Sequence, residues 1–274
     1  MSENQVALVT GATGTIGRAV AAELGARGAA LLLTGRRKDV LDEVAGELRD
    51  RGVQVEIVVG DVADPAHAEQ AVARATEAFG SVTTLVNNAG GGTGTGVSVA
   101  DSDPAAWRES LLTNTFGPYL FARAVLPSML REQRGRIITV ASRAGTAAIP
   151  TASAYVVAKT AVMRLSETIA AETRGTGVAA FSLHPGGIVS GINAAQIKSG
   201  LVSAERFPDS AEAAARMIAD LASGHYDVLS GGYLDVGDDL VALVAQRVGE
   251  STPFRALTVV DLPDEFQGRP IYNN

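Results

Sequence analysis

The chain contains no cysteine. Disulfides and thiolate metal sites are thereby excluded, and three histidines scattered at 67, 184 and 225 do not form a ligand set, so no metal is expected. Aromatic residues make up only 5% of the sequence, which leaves the core to aliphatic side chains. No apolar run reaches the ~18 residues of a membrane span. The opening MSENQ lacks the basic region and cleavage site of a signal peptide. A formal charge of −7 without a Lys/Arg cluster argues against a nucleic-acid surface, because phosphate binding needs concentrated positive charge. These absences together lead to the expectation of a soluble cytoplasmic protein with neither membrane nor nucleic-acid partners.

What remains is a chain of 274 residues that is 46% hydrophobic, enough to bury a sizeable core in one large α/β domain. Short apolar, β-rich runs alternate with helical ones. VALVT (6–10) precedes a helix over about 15–27, ALLLT (30–34) one over about 38–51, and VEIVVG (55–60) one over about 65–79. TTLVN (83–87) precedes a long helical run at 103–130, and RIITVAS (136–142) a helix carrying Tyr155. VAAFSLH (178–184) leads through an irregular stretch to a helix near 210–222, and VLSGGYLDV (228–236) is a seventh strand candidate. The alternation predicts a doubly wound, seven-stranded parallel sheet with helices on both faces, since right-handed crossovers place the helices there.

The first strand-to-helix turn is TGATGTIG, with glycines at 11, 14 and 17. Glycine lets the backbone turn tightly and approach a pyrophosphate held at the positive end of the helix, so Gly11, Thr13, Gly14, Thr15, Ile16 and Gly17 are candidate dinucleotide contacts. The spacing is GxxGxxG, not GxGxxG, with Thr15 where a glycine often stands. At the end of the second strand, Thr34-Gly35-Arg36-Arg37 offers no acid to hold the ribose hydroxyls of NAD. A guanidinium there pairs with a 2′-phosphate, which favours NADP, with Arg36 as clamp ahead of Arg37, and leaves NAD as the other option. Asp61 and Val62 close the third strand, where they could meet adenine. Asn87-Asn88-Ala89-Gly90 close the fourth, where small residues let the backbone run close to a ribose. Asn114 sits awkwardly inside the long helix, a breach of local preference that suggests function.

Between Ser142 and Lys159 lies SRAGTAAIPTASAYVVAK. Tyr155 and Lys159, four apart on a helix, share one face. A phenol titrating near ~10 exchanges protons at neutral pH only if its phenolate is stabilised, which an adjacent ammonium can do. Ser142 ends an apolar run that would deliver its hydroxyl to the same place.

TGATGTIG, Asp61-Val62, NNAG at 87–90, Asn114, Ser142, YVVAK at 155–159 and Pro185-Gly186 resemble, in order and spacing, the short-chain dehydrogenases/reductases over roughly residues 5–237. The resemblance implies a doubly wound Rossmann-type catalytic domain over 1–237 that binds NAD(P), and a tetrad of Asn114, Ser142, Tyr155 and Lys159. Tyr155 would be the acid/base and Ser142 would polarise the substrate carbonyl. Lys159 would hold the nicotinamide ribose and lower the Tyr pKa, and Asn114 would anchor a water in the proton relay. Asn88, Ala89, Gly90, Pro185, Gly186 and Ile188 would contact the cofactor, Ile188 at the carboxamide. The implied activity interconverts a ketone or aldehyde and an alcohol with NADP(H). The alternatives are a catalytically silent NAD(P)-binding regulator and a cofactor-retaining isomerase or dehydratase.

Residues 238–274 depart from that pattern as an extension expected to pack on the same domain, over the substrate cleft, or on a neighbouring subunit, through the apolar face of 240–248 and through 254–260. Pocket candidates are Gly90–Gly96, Arg143–Ala152 and Ser190–Phe207, whose Thr146, Ala147, Ala148 and Ile149, with Ile192, Ile197 and Leu201, suit a moderately hydrophobic small molecule. Helices at 103–130 and 152–173, rich in Ala and Leu on more than one face, point to a homodimer or homotetramer.

Overall fold

The computed structural model describes residues 5–190, 197, 203–247 and 255–257. Seven parallel strands form one sheet in the order β3-β2-β1-β4-β5-β6-β7. They are β1 (Val6–Thr10), β2 (Ala30–Gly35), β3 (Val55–Val59), β4 (Thr84–Asn87), β5 (Gly135–Val140), β6 (Val178–His184) and β7 (Tyr233–Asp235). β1 pairs in parallel with β2 on one side and β4 on the other, and the chain winds outward in opposite directions from that point. A crevice therefore opens above the carboxyl ends of β1 and β4, where such sheets take their ligands.

Alternation along the strands fills both faces. Ala7, Val9, Leu31 and Leu33 join one core cluster, while Val6, Leu8 and Leu32 join the other. Helices α1 (Thr15–Ala26), α2 (Lys38–Asp50) and α7 (Ala211–Ala222) cover the first face, with Leu24, Leu41, Leu48 and Ile218 buried on it. Helices α3 (Pro65–Phe79), α5 (Gly117–Arg131) and α6 (Ser153–Glu172) contribute Ala71, Phe121, Val125 and Ile169 to the second.

Two expectations need correction. The run at 103–130 is not one α-helix: α4 (Pro104–Leu111) and α5 are joined by a π-helical segment at Leu112–Phe116. The seventh strand is much shorter than 228–236, because Asp227–Leu229 form a 3₁₀ turn and Gly231 takes a left-handed φ of 87° that breaks the extended run before Tyr233. Of the segment after Gly237, α8 (Leu240–Arg247) packs on the same domain, burying Leu240 and Leu243 in the same cluster as Leu229, Leu234 and Met217. Leu257 lies on the flank of α6, its N–H donating to Glu167 Oε1 at 2.6 Å and its carbonyl accepting from Arg164. Ile192 and Leu201 of the proposed lid, and most of 254–260, lie outside the described residues.

Because Leu243 is part of a continuous core, Leu243→Ala is expected to cost about 2–4 kcal/mol of stability. A urea midpoint unchanged within error would mean that α8 is a peripheral appendage. Among the described residues no helix is long and apolar enough to cross a membrane, and no group of three or more His, Asp or Glu is placed to hold a metal.

Candidate active site

The turn after β1 is shaped by contacts that exclude any side chain. Gly11 has φ 65°, and a Cβ there would lie 2.7 Å from Ala89 Cα; a Cβ on Gly17 would lie 2.3 Å from the Gly11 carbonyl oxygen. Thr10 ties this turn to the end of β4: its Oγ1 accepts from the N–H groups of Asn88 and Ala89, both at 3.0 Å. Asn88 returns the contact, its Nδ2 donating to the carbonyls of Thr10 (2.9 Å) and Gly11 (3.1 Å). The Asn88 amide is thus committed to holding the glycine turn, and Ala89 stands against Gly11.

Helix α3 is capped by Asp64, which accepts from Ala66 N–H, and α4 by Asp103. Helix α1 begins at Gly14 with no side-chain acceptor and no acid in its first turn. A Cβ on Gly14 would meet only the Gly11 oxygen, at 3.4 Å. An uncapped helix start with open space before it suits the pyrophosphate of a dinucleotide, so the residues fit that group. Farther out, Arg37 donates to the Thr13 carbonyl at 3.2 Å, while Arg36 is exposed. Asp61 is exposed and accepts from Ala63 N–H at 2.9 Å, and Val62 is buried against Gly117.

At the far end, Ile188 is buried with Ala211 and Ala214, and Ile16 packs against the same cluster. Pro185 is buried and Gly186 has φ 94°. Asp209, which the sequence did not mark, holds this loop: its Oδ2 accepts from Gly187 N–H at 2.7 Å and its own N–H donates to the Gly187 carbonyl at 2.9 Å.

The four tetrad candidates are brought together around the tips of β4 and β5. Asn114 lies in the π-helical segment and is 1% exposed. Its Nδ2 donates to the Ser110 carbonyl at 2.9 Å, the acceptor that its backbone N–H would take in a regular α-helix. Nδ2 also donates to the Gly91 carbonyl (3.0 Å), and Oδ1 accepts from Gly91 N–H (3.2 Å). The residue that looked misplaced in a helix is accommodated by widening the helix around it. Insertions of this kind recur at functional sites.

Ser142 follows β5 and accepts from Ala144 N–H at 3.2 Å. The short turn behind it is pressed onto α6, where Thr160 donates to the Gly145 carbonyl at 2.9 Å and a Cβ on Gly145 would lie 2.9 Å from the Lys159 backbone. Helix α6 presents Tyr155 and Lys159 on one face, with Lys159 Nζ 5.7 Å from the Tyr155 ring centroid. Gly90 fits between the parts: a Cβ there would lie 2.9 Å from Asn114 Oδ1 and 3.6 Å from Lys159 Nζ.

The electrostatics correct one expectation. Lys159 is 5% exposed and donates to the Val140 carbonyl at 2.9 Å; burial pulls its pKa from 10.5 down to about 8. Burial likewise raises the Tyr155 phenol above its ordinary value, opposed by a hydrogen bond with Ser142 that favours the phenolate. Burial is the larger influence on the phenol and outweighs Ser142, while the Lys159 ammonium is engaged with the Val140 carbonyl.

Comparison with known proteins bears on the family and the fold. A family model described as short chain dehydrogenase matches residues 5–199. A ketoacyl reductase assigned to the granaticin polyketide synthase of Streptomyces violaceoruber is 39% identical over 184 residues, covering 66% of this chain and 66% of that protein. Dehydrogenase/reductase SDR family member 7B of Bos taurus is 33% identical over 189 residues, covering 67% of this chain and 58% of that protein. The chain thus matches 58–66% of the length of these two relatives. Among solved structures, a single-substitution variant of actinorhodin polyketide ketoreductase with NADPH superposes with a TM-score of 0.80 at 28% identity, covering 85% of this chain and 96% of that one. With the family model covering most of the chain and the sheet order matching, the chain belongs to the short-chain dehydrogenase family.

Proposed function

We propose that the protein is an NADP(H)-dependent oxidoreductase that interconverts a ketone or aldehyde and an alcohol, with Tyr155 as acid/base. The observation that carries the reading is Tyr155 on one face of α6 with the buried Lys159, whose Nζ lies 5.7 Å from its ring centroid, beside Ser142 at the tip of β5. Two hydroxyls on one side of a crevice can together grip a single substrate oxygen, Ser142 donating while Tyr155 gives or accepts the proton. Ser142 Oγ accepts from the Ala144 N–H, and its own proton would be given to the substrate oxygen. Lys159 would turn from Val140 to the ribose, and the remaining acceptor capacity of Asn114 Oδ1 would hold a water between bulk solvent and Lys159. When bound, the nicotinamide would supply or accept the hydride at the substrate carbon and, oxidised, add a positive charge that favours the phenolate.

NADP over NAD is supported by Arg36, exposed at the end of β2 while Arg37 is engaged with Thr13. The NADPH in the actinorhodin ketoreductase structure agrees with that preference. The substrate is a small carbonyl or alcohol, and the exposed side chains of Ile149 and Val189 at the mouth favour an apolar one. A homodimer or homotetramer is supported by the stacked, partly exposed Phe116 and Tyr119 at the start of α5 and by exposed Val157 on α6.

The test is reduced-nicotinamide absorbance across a panel of ketones and alcohols with both cofactors. The expected result is turnover with NADPH preferred, and an Arg36→Ala variant whose KM for NADPH rises about tenfold while that for NADH is unchanged. Conversion of substrate without net cofactor consumption would favour the isomerase or dehydratase alternative.

A further inference from the structure

One buried titratable side chain remains unused by this reading. His67, in the first turn of α3, is 3% exposed, and its Nε2 lies 2.6 Å from Oγ1 of Thr34, a fully buried residue of β2. The ring meets Phe121 of α5 edge-on, with centroids 5.8 Å apart and planes at 73°. Its other nitrogen faces Gly60: a Cβ on Gly60 would lie 2.2 Å from Nδ1 and 2.5 Å from Cγ. While His67 keeps this position, residue 60 has room for glycine alone. Gly60 N–H in turn donates to the Gly35 carbonyl at 3.1 Å.

The imidazole therefore touches the last residues before two turns, Gly35-Arg36 after β2 and Asp61-Val62 after β3. These are the two turns to which the dinucleotide reading gives the adenosine half of the cofactor. Nδ1 has no hydrogen-bond partner among the described residues, a cost that an apolar ring of similar size would avoid. Burial holds the ring below its ordinary pKa against the pull of the nearby Asp64 and Asp61 carboxylates, so it is neutral at pH 7 and adds no charge to the subsite. Its contribution there is shape and one directed hydrogen bond.

We propose that His67 is a positioning residue for the adenosine end of the cofactor site: bonded to Thr34 and wedged under Gly60, it sets the spacing of the Arg36 and Asp61 turns. The inference rests on the dinucleotide reading above. It concerns only the adenosine half, so it separates from catalysis in a binding measurement.

The experiment is calorimetric titration of the full chain with 2′,5′-ADP, which carries the adenosine half alone, and with NADPH. His67→Ala is expected to weaken 2′,5′-ADP binding about tenfold. His67→Gln, whose terminal amide reaches the Nε2 position, should recover most of it. Gly60→Ala should weaken binding alone and do so less in the His67→Ala background, where the clash is relieved. The kcat at saturating NADPH should stay within about twofold, since no reacting group is moved. Should His67→Ala fail to fold, the Gln variant and the Gly60→Ala pair decide the matter. Unchanged affinity in folded variants, or losses in kcat parallel to those in binding, would overturn the proposal. A wild-type chain that bound neither ligand would instead remove the cofactor reading, and this inference with it.

Discussion

Tyr155→Phe is expected to lower kcat by roughly 10³-fold, within the range that a positioned acid/base supplies, and to leave NADPH binding intact. The phenol hydroxyl is the group lost; the ring, its place on α6 and the nearby ammonium all remain. The direction of the pKa shift predicts the pH profile. Burial raises the phenol, so in alcohol oxidation, which needs the base form, the wild-type rate climbs with pH across the neutral range. Carbonyl reduction uses the protonated phenol and holds its rate until alkaline pH. Both dependences should vanish from the residual activity of the Phe variant. A variant retaining a third or so of the wild-type turnover would end the assignment of Tyr155 as the proton donor.

The second large effect runs in two directions at once. Lys159→Met should abolish turnover and make the fold more stable. The ammonium is buried and titrates at about 8 in place of 10.5, so keeping it charged below pH 8 costs about 3 kcal/mol. Methionine fills similar space without that cost, and the Val140 carbonyl left without its donor offsets about 1 kcal/mol. The net gain of about 2 kcal/mol corresponds to roughly 5 °C in Tm. The sign of the pH dependence follows from the depressed folded-state value. Above pH 10.5 the lysine is neutral folded or unfolded, the charge penalty is gone, and the Met variant should be the less stable by about 1 kcal/mol, the lost Val140 bond. The difference shifts in favour of the Met variant as pH falls toward 8 and is constant below it. Calorimetry between pH 6 and 10 reads this directly, and a Met variant less stable than the wild type at pH 7 would refute it.

Much of this architecture was legible because each strand announces itself as an aliphatic run and each helix start carries a turn signal. Pro65 after Asp64 and Pro104 after Asp103 open α3 and α4 as side-chain-capped helices. The tetrad candidates came from the family resemblance, and the residues by themselves offered less: Tyr155 and Lys159 four apart on one helix face, and Asn114 out of place in a helix. What was not legible depends on distant partners. Thr10 is ordinary as a strand residue until Asn88 and Ala89 are seen on its hydroxyl. His67 reads as a solvated helix residue until Thr34 and Gly60 close around it. Asp209 precedes a helix as many acids do, and only the fold places the Gly187 N–H on its carboxylate. The length of β7 was misjudged because Val228 and Leu229 have strand propensity, whereas the left-handed Gly231 decides the backbone.

The widened turn at Leu112–Phe116 bears on how this chain can tolerate change in length. One surplus residue there sets the angular phase between the helix before it and the helix after it, so Trp107, which donates to Ser153 at 3.2 Å, and Thr115, which donates to the Ala158 carbonyl at 3.0 Å, grip α6 in different phases. Removing a single residue from the segment would restore an ideal helix and swing everything ahead of it by about 100°. The more regular helix would break the grip on α6, and locally better geometry would yield a worse protein.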